Sequence, residues 1–229
     1  MRVLVACEHS GRVREAFRRR GHDAWSCDFL WPEDGSPHHF TGSILDHDIV
    51  KQHWDLMIAH PDCTFLTVSA NKWAGADWRI EARLSAMHFV RALWAYPIPR
   101  IAIENPIGVL GTFWKPSDQT IQPWQFGHKA TKATCLWLKN LSPLVPTDVV
   151  GPPPKNMTLE EKRIWNEVHR AVPGPDRWRV RSLTYQGVAN AMAEQWGADE
   201  THSAGKTPDK TGIREVLGSE LAISYGATV

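Results

Sequence analysis

Three short apolar runs constrain the fold of this chain more than any other feature: Val3-Leu4-Val5-Ala6, Leu56-Met57-Ile58-Ala59 and Ile101-Ala102-Ile103. Each has the length and composition of a buried strand. Segments with helical spacing lie between them. Ser10 to Arg20 reads as a helix, with Ser10 as its cap and Val13 and Phe17 one turn apart on its apolar face. Residues 78–95 place Ile80, Leu84, Met87, Val90 and Trp94 at helical spacing. A further strand covers Asp23 to Cys27 and ends at Asp28. A turn-rich loop follows over 32–37, and a weak element surrounds Ile44-Leu45-Asp46. From Gln119 to Leu138 the pattern is strand-like again, most clearly at Thr134-Cys135-Leu136-Trp137-Leu138. Strands alternating with helices predict an α/β fold.

After Leu138 the character changes. Pro143, Pro146 and Pro152-Pro153-Pro154 make a stiff connector. A charged helix is expected from Leu159 to His169, with Thr158 as cap and Glu161 three residues on, and Pro173-Gly174-Pro175 ends it. A last helix is expected from Leu183 to Gln195. The expected organisation is one domain over 1–199, with a small insertion at about 139–181, and a partly flexible tail over 200–229. The 229 residues suffice for one full core, and the net charge of +1 neither demands nor excludes nucleic acid. No run approaches transmembrane length, and the start leads straight into a strand, so neither membrane span nor signal peptide is expected. Cys7, Cys27, Cys63 and Cys135 are widely spaced, which suits a reducing, cytoplasmic compartment rather than a disulfide scaffold or a zinc site. Most of the twelve tryptophans read as packing residues.

Two strand ends carry chemistry-bearing residues. Cys63 sits in His60-Pro61-Asp62-Cys63-Thr64, just after one apolar run, and Glu104 ends another in Ile103-Glu104-Asn105-Pro106. Loops at the carboxyl ends of parallel strands are where such sheets do chemistry. A thiol there attacks an electrophilic carbon, and a carboxyl polarises the ring that contains it. A buried cysteine alone is usually inert packing. The ordered pair is more specific.

That pairing resembles the DNA cytosine 5-methyltransferase family, which carries a Pro-Cys nucleophile loop and a Glu-Asn-Val loop that grips a flipped cytosine. The likeness continues in Val3-Leu4-Val5-Ala6-Cys7-Glu8-His9-Ser10-Gly11, in Asp28, in Gly42-Ser43-Ile44-Leu45-Asp46 and in Gln186-Gly187-Val188-Ala189-Asn190-Ala191. These segments follow the family's order and span about residues 3–196. The resemblance implies a Rossmann-like methyltransferase fold, a mostly parallel, doubly wound sheet with helices on both faces. It implies S-adenosylmethionine as cofactor, held by Ser10, Gly11, Asp28, Asp46, Pro61 and Asn190. It implies Cys63 as nucleophile on carbon 6 and Glu104 as a proton-donating grip on nitrogen 3 and the exocyclic amine; Asp62, directly before the nucleophile, is a further candidate catalytic-site residue, whose charge is expected to raise the thiol. The target would be a flipped or single-stranded cytosine in DNA. Lys129, Lys132, Arg177, Arg179 and Arg181 are the expected phosphate contacts. The chain is similar to short, phage-type members without a large recognition domain. Any oligomer is expected to be a homodimer.

Three positions depart from the family's pattern. Asp62 stands where the family has Pro, Ser43 stands where it has Asp, and its Gln-x-Arg-x-Arg pattern is not evident near Lys129–Thr134. Two other readings stay open: a methyltransferase for another base, a free nucleotide or RNA, and an inactive relative that binds cofactor or DNA.

Overall fold

The apolar runs form the middle of one seven-stranded sheet. The structure is a computed structural model that describes residues 1–68, 75–175 and 177–198. Strand β1 (Arg2–Ala6) lies between β2 (Asp23–Asp28) and β4 (Leu56–Ala59). β3 (His39–Thr41) flanks β2, and β5 (Arg100–Pro106) flanks β4. β6 (Gln119–Ile121) and β7 (Thr134–Lys139) complete the order β3-β2-β1-β4-β5-β7-β6. β1 to β5 are parallel, and β7 runs antiparallel to both β5 and β6. This is the expected mostly parallel, doubly wound, Rossmann-like sheet.

Side-chain alternation divides the strands between two cores. Val3, Val5, Leu56, Ile58, Ala102 and Leu136 face one side, under α1 (Arg12–Arg18) and α7 (Gln186–Gln195). Leu4, Ala6, Met57, Ala59, Ile101, Ile103 and Trp137 face the other, under α3 (Asp77–Ala95). With helices on both faces, both side-chain sets are apolar, which is why the strands read as unbroken runs. Trp54, Trp137 and Trp196 are buried as packing residues, whereas Trp31 is 80% exposed.

Several local expectations change. Ser10 does not cap α1. Its helix begins at Arg12, and the buried Glu8 accepts from the N–H groups of Val13 (2.7 Å) and Arg14 (3.2 Å) instead. Ile80 and Leu84 are exposed on α3, and Arg79 is buried in their place, donating to the Thr64 carbonyl. β3 falls where no strand was expected, because its register is supplied by β2. The weak element leads into a short helix, α2 (His47–Val50), and α4 (Leu110–Phe113) follows β5. The strand-like stretch after Gln119 is two short strands with a 3-10 turn between them. α5 is shorter than expected, Leu159–Trp165, with the Thr158–Glu161 capping box in place. The basic run forms its own helix, α6 (Arg177–Ser182), ahead of α7. The expected tail over 200–229 lies outside the described residues. No helix among the described residues is long and apolar enough to cross a membrane.

Candidate active site

The chain passes from β1 outward to β2 and β3, then returns to the other side of β1 as β4. Loops leaving the carboxyl ends of β1 and β4 therefore diverge and open a crevice between them. The β1 loop carries Cys7 to Gly11, and the β4 loop carries His60 to Cys63. The His60 N–H donates to the Ala6 carbonyl at 2.9 Å, closing the floor of the crevice. Gly11 adopts a left-handed φ of 71°, and a Cβ there would overlap the Arg14 guanidinium, so only glycine fits the turn.

Asp28 stands at the carboxyl end of β2. One carboxylate oxygen accepts from the Leu30 N–H at 2.9 Å, and the neighbouring Phe29 ring is 74% exposed. Ser10 is half-buried, its hydroxyl 3.5 Å from Glu8 Oε1. Asp46 is not brought to this turn by any hydrogen bond. It is exposed, and its Oδ1 accepts from the Asp48 N–H in the first turn of α2. Asn190 belongs to α7. It is exposed on α7, and its Oδ1 accepts from Gln186 (2.9 Å) and from Arg19 (3.5 Å), just past the far end of α1 from Gly11.

The nucleophile loop is fixed by its own turn and by its neighbour. Asp62 Oδ1 accepts from the Thr64 N–H (3.0 Å) and from its hydroxyl (2.8 Å). The Cys63 carbonyl accepts from the N–H groups of Leu66 and Thr67, making one helical turn. The Asn105 amide donates to the carbonyl of buried Pro61 at 2.8 Å. Val109 N–H donates to the Leu66 carbonyl, and a Cβ at Gly108 would overlap that same carbonyl. The β4 loop is thus joined to the end of β5 at Pro61 and to the loop after β5 at Leu66.

Glu104 and His60 form the buried centre of the site. Ala59 pairs with Ile103 across β4 and β5, so the next residues on each strand, His60 and Glu104, are neighbours. His60 Nδ1 lies 2.6 Å from Glu104 Oε2, with both side chains 11% exposed. Burial raises the Glu104 carboxyl, but the hydrogen bond from His60 and the charge of Lys132 outweigh it and hold the group below its ordinary value. Burial lowers His60, yet the bond and charge of Glu104 and the charge of Glu8 leave the imidazole above its ordinary value. Both directions favour a carboxylate on Glu104 and a cationic imidazole on His60, whereas the resemblance implied Glu104 as the proton donor. Cys63 is raised by burial, then by Asp62 and Glu104, while Lys132 and Arg181 pull it down without reversing the shift.

The basic residues divide into distinct environments. Lys132 lines the cleft in front of Glu104 with Ile121, Thr134, Thr184 and Tyr185, and its ammonium donates to the Leu183 carbonyl at 3.1 Å. It belongs to the site rather than to an open phosphate surface. Arg181 is near enough to Cys63 to favour the thiolate. Arg179 is paired with Glu33, Nε to Oε1 at 2.5 Å, and its side chain stays half-exposed. Glu33 also meets His9, whose ring lies 5.5 Å from that of Trp178. Arg177 lines a cleft with Arg163 and Arg170, and its buried Nε has no hydrogen-bond partner among the described residues. Lys129 is exposed.

The sequence reading missed His60 and Glu8. The signal for His60 was its position: it follows one apolar run as Glu104 follows another. The described residues hold no group of three or more His, Cys, Asp or Glu that could hold a metal ion.

No protein-family model matches the chain, and no curated protein matches it. Solved structures of similar shape include an E. coli protein described as a DNA modification methyltransferase encoded within a prophage, 15% identical, covering 65% of this chain and 51% of that chain with a TM-score of 0.46. The S. pombe Dnmt2 methyltransferase is 14% identical over 76% of this chain and 56% of its own, with a TM-score of 0.42. A mutant of the Spodoptera frugiperda DNMT2 is 13% identical over 76% of this chain and 60% of its own, with a TM-score of 0.40. The chain thus spans between half and three-fifths of the solved structures it resembles.

Proposed function

We propose that this protein transfers a methyl group from S-adenosylmethionine to carbon 5 of cytosine in DNA through a covalent Cys63 adduct. The observation that carries this reading is the meeting of the Cys63 loop with Glu104 at adjacent strand ends beside the β1–β4 crevice. Cofactor residues fit on their own geometry. Asp28 has one carboxylate oxygen occupied by Leu30, which leaves acceptor capacity for a ribose diol, and the exposed Phe29 beside it offers a face for a purine. When bound, the cofactor supplies an electrophilic methyl on a sulfonium sulfur.

The chain's own groups do the rest. The Cys63 thiolate adds to carbon 6, and carbon 5 becomes enamine-like. Glu104 accepts from the exocyclic amine, while Lys132, across the same cleft, donates to the ring's carbonyl oxygen. Arg181 offsets part of the charge around the thiolate. Because a thiol must approach the ring face, the base leaves the stack first. Arg177, Arg163 and Arg170 provide a cationic cleft for the DNA backbone, so affinity falls steeply with salt.

The test is mass analysis of mixed DNA after incubation with labelled cofactor. Methyl on carbon 5 of cytosine, absent in Cys63→Ser, supports the reading. Methyl on another base or on RNA alone would overturn the cytosine assignment, and no transfer to any nucleic acid would overturn the enzyme.

A further inference from the structure

His60 is not explained by the function proposed above. It occupies the first position after β4, almost fully enclosed, with Nδ1 on Glu104 and with Nε2 buried and without a hydrogen-bond partner among the described residues. An unpartnered buried nitrogen costs free energy, so packing alone does not account for a histidine here. The charged groups that act on it come from three other elements: Glu8 after β1, Glu104 on β5 and Lys132 before β7. Glu8 is itself raised by burial and spends its carboxylate on the start of α1. Lys132 disfavours a cationic imidazole and Glu104 favours one, and the pair's direct hydrogen bond prevails.

We propose that His60 is a positioning residue that stores the proton delivered through Glu104 to cytosine nitrogen 3 when Cys63 attacks carbon 6. This rests on the cytosine reading above. Thiol addition needs a proton at nitrogen 3, since the displaced π pair accumulates there. Glu104 by itself is a poor donor, because its surroundings hold it as the carboxylate. The 2.6 Å contact and the opposite charges of the pair favour one proton between them, held on His60.

The steps balance as follows. The sulfur–carbon 6 bond forms, the carbon 5–carbon 6 π pair shifts toward carbon 4, and the carbon 4–nitrogen 3 π pair moves onto nitrogen 3. A proton passes from the pair to nitrogen 3, leaving neutral imidazole and carboxylate. Carbon 5 takes the methyl, whose former bonding pair stays on sulfur. The carbon 5 proton then leaves to solvent, the sulfur–carbon 6 bond breaks with its pair on Cys63, and the nitrogen 3 proton returns to the pair. One proton is released per methyl transferred.

The experiment follows adduct formation with DNA containing 5-fluorocytosine in the presence of cofactor, where fluorine blocks the last proton loss and traps the covalent complex. His60→Asn keeps an N–H near Glu104 but cannot ionise. Near pH 8 it should slow trapping by at least about tenfold, a modest share of what general acid catalysis supplies. The loss should shrink as pH falls and Glu104 takes up a proton itself, with cofactor affinity and KM for DNA unchanged. In parallel, NMR titration of the unmodified protein should show the His60 imidazole still protonated above its ordinary range, and Glu104→Gln should bring it down. A His60→Asn enzyme with an unaltered pH profile, or with an equal loss at every pH, overturns the inference alone, as does a neutral His60 at pH 7 in a protein that traps. An unmodified protein that never traps overturns the cytosine reading and the inference with it.

Discussion

The side-chain amide of Asn105 donates a 2.8 Å hydrogen bond to the carbonyl of Pro61, and so ties the end of β5 to the loop that carries Cys63. The residue after Glu104 thereby holds the nucleophile's loop against the neighbouring strand. Asn105→Ala removes this buried donor and should cost about 1–3 kcal/mol of stability. Turnover should fall further than that loss explains, with cofactor affinity intact. Denaturant unfolding alongside calorimetry separates the two effects.

The cap of α1 belongs to Glu8, not Ser10. Glu8→Ala leaves two N–H groups without their acceptor and should destabilise the fold by about 1–2 kcal/mol, the upper part of the range for a lost cap. Ser10→Ala should change stability by less than about 0.5 kcal/mol. Equal effects from the two substitutions would contradict the assignment.

Asp62 bears on the reactivity of Cys63. Its charge raises the thiol, after burial, while its Oδ1 holds Thr64. Asp62→Asn keeps the acceptor oxygen and removes the charge. The pH midpoint for alkylation of Cys63 should therefore move down, and the rate at neutral pH should rise, because the thiolate is the reacting form. A midpoint that stays put would show that burial and Glu104 set the shift without Asp62.

The Glu104–His60 pair links stability to pH with opposite signs. Glu104 is depressed, so its share is present above its ordinary value of 4.5 and is lost as pH falls through the lower folded value. His60 is raised, so its share is present below its ordinary value of 6.5 and is lost as pH rises through the higher folded value. The pair's contribution is complete between those two ordinary values and declines on both sides. The difference in denaturation midpoint between the natural protein and Glu104→Gln should be largest in that interval.

Asp28→Ala should weaken S-adenosylmethionine binding by about 1–3 kcal/mol, the range for hydrogen bonds to a charged group. Asp46→Ala and Asn190→Ala should leave it unchanged, since Asp46 caps α2 and Asn190 turns to Gln186 and Arg19. Isothermal titration of the three variants distinguishes them.

Some of this architecture was written in local sequence. Val3–Ala6, Leu56–Ala59 and Ile101–Ile103 read as buried strands, and Thr158 with Glu161 three residues on marked the start of α5. Cys63 and Glu104 announced themselves because each directly follows such a run. Periodicity reports which residues share a face, but not whether another element covers that face. That is why Ile80 and Leu84 satisfied the helical pattern and still face outward, while Arg79 is buried. The cap of α1, the ion pair of Arg179 with Glu33 and the reversal of β7 were equally beyond local reach. The His60–Glu104 contact joins residues 44 positions apart, and it exists only because β4 and β5 pair in parallel with Ala59 opposite Ile103. A shift of that register by one residue would turn either side chain to the other face of the sheet. Residue types and strand ends were therefore determined by the sequence alone, whereas the protonation state of the site was decided by tertiary register, because it depends on charges brought together from four separate segments.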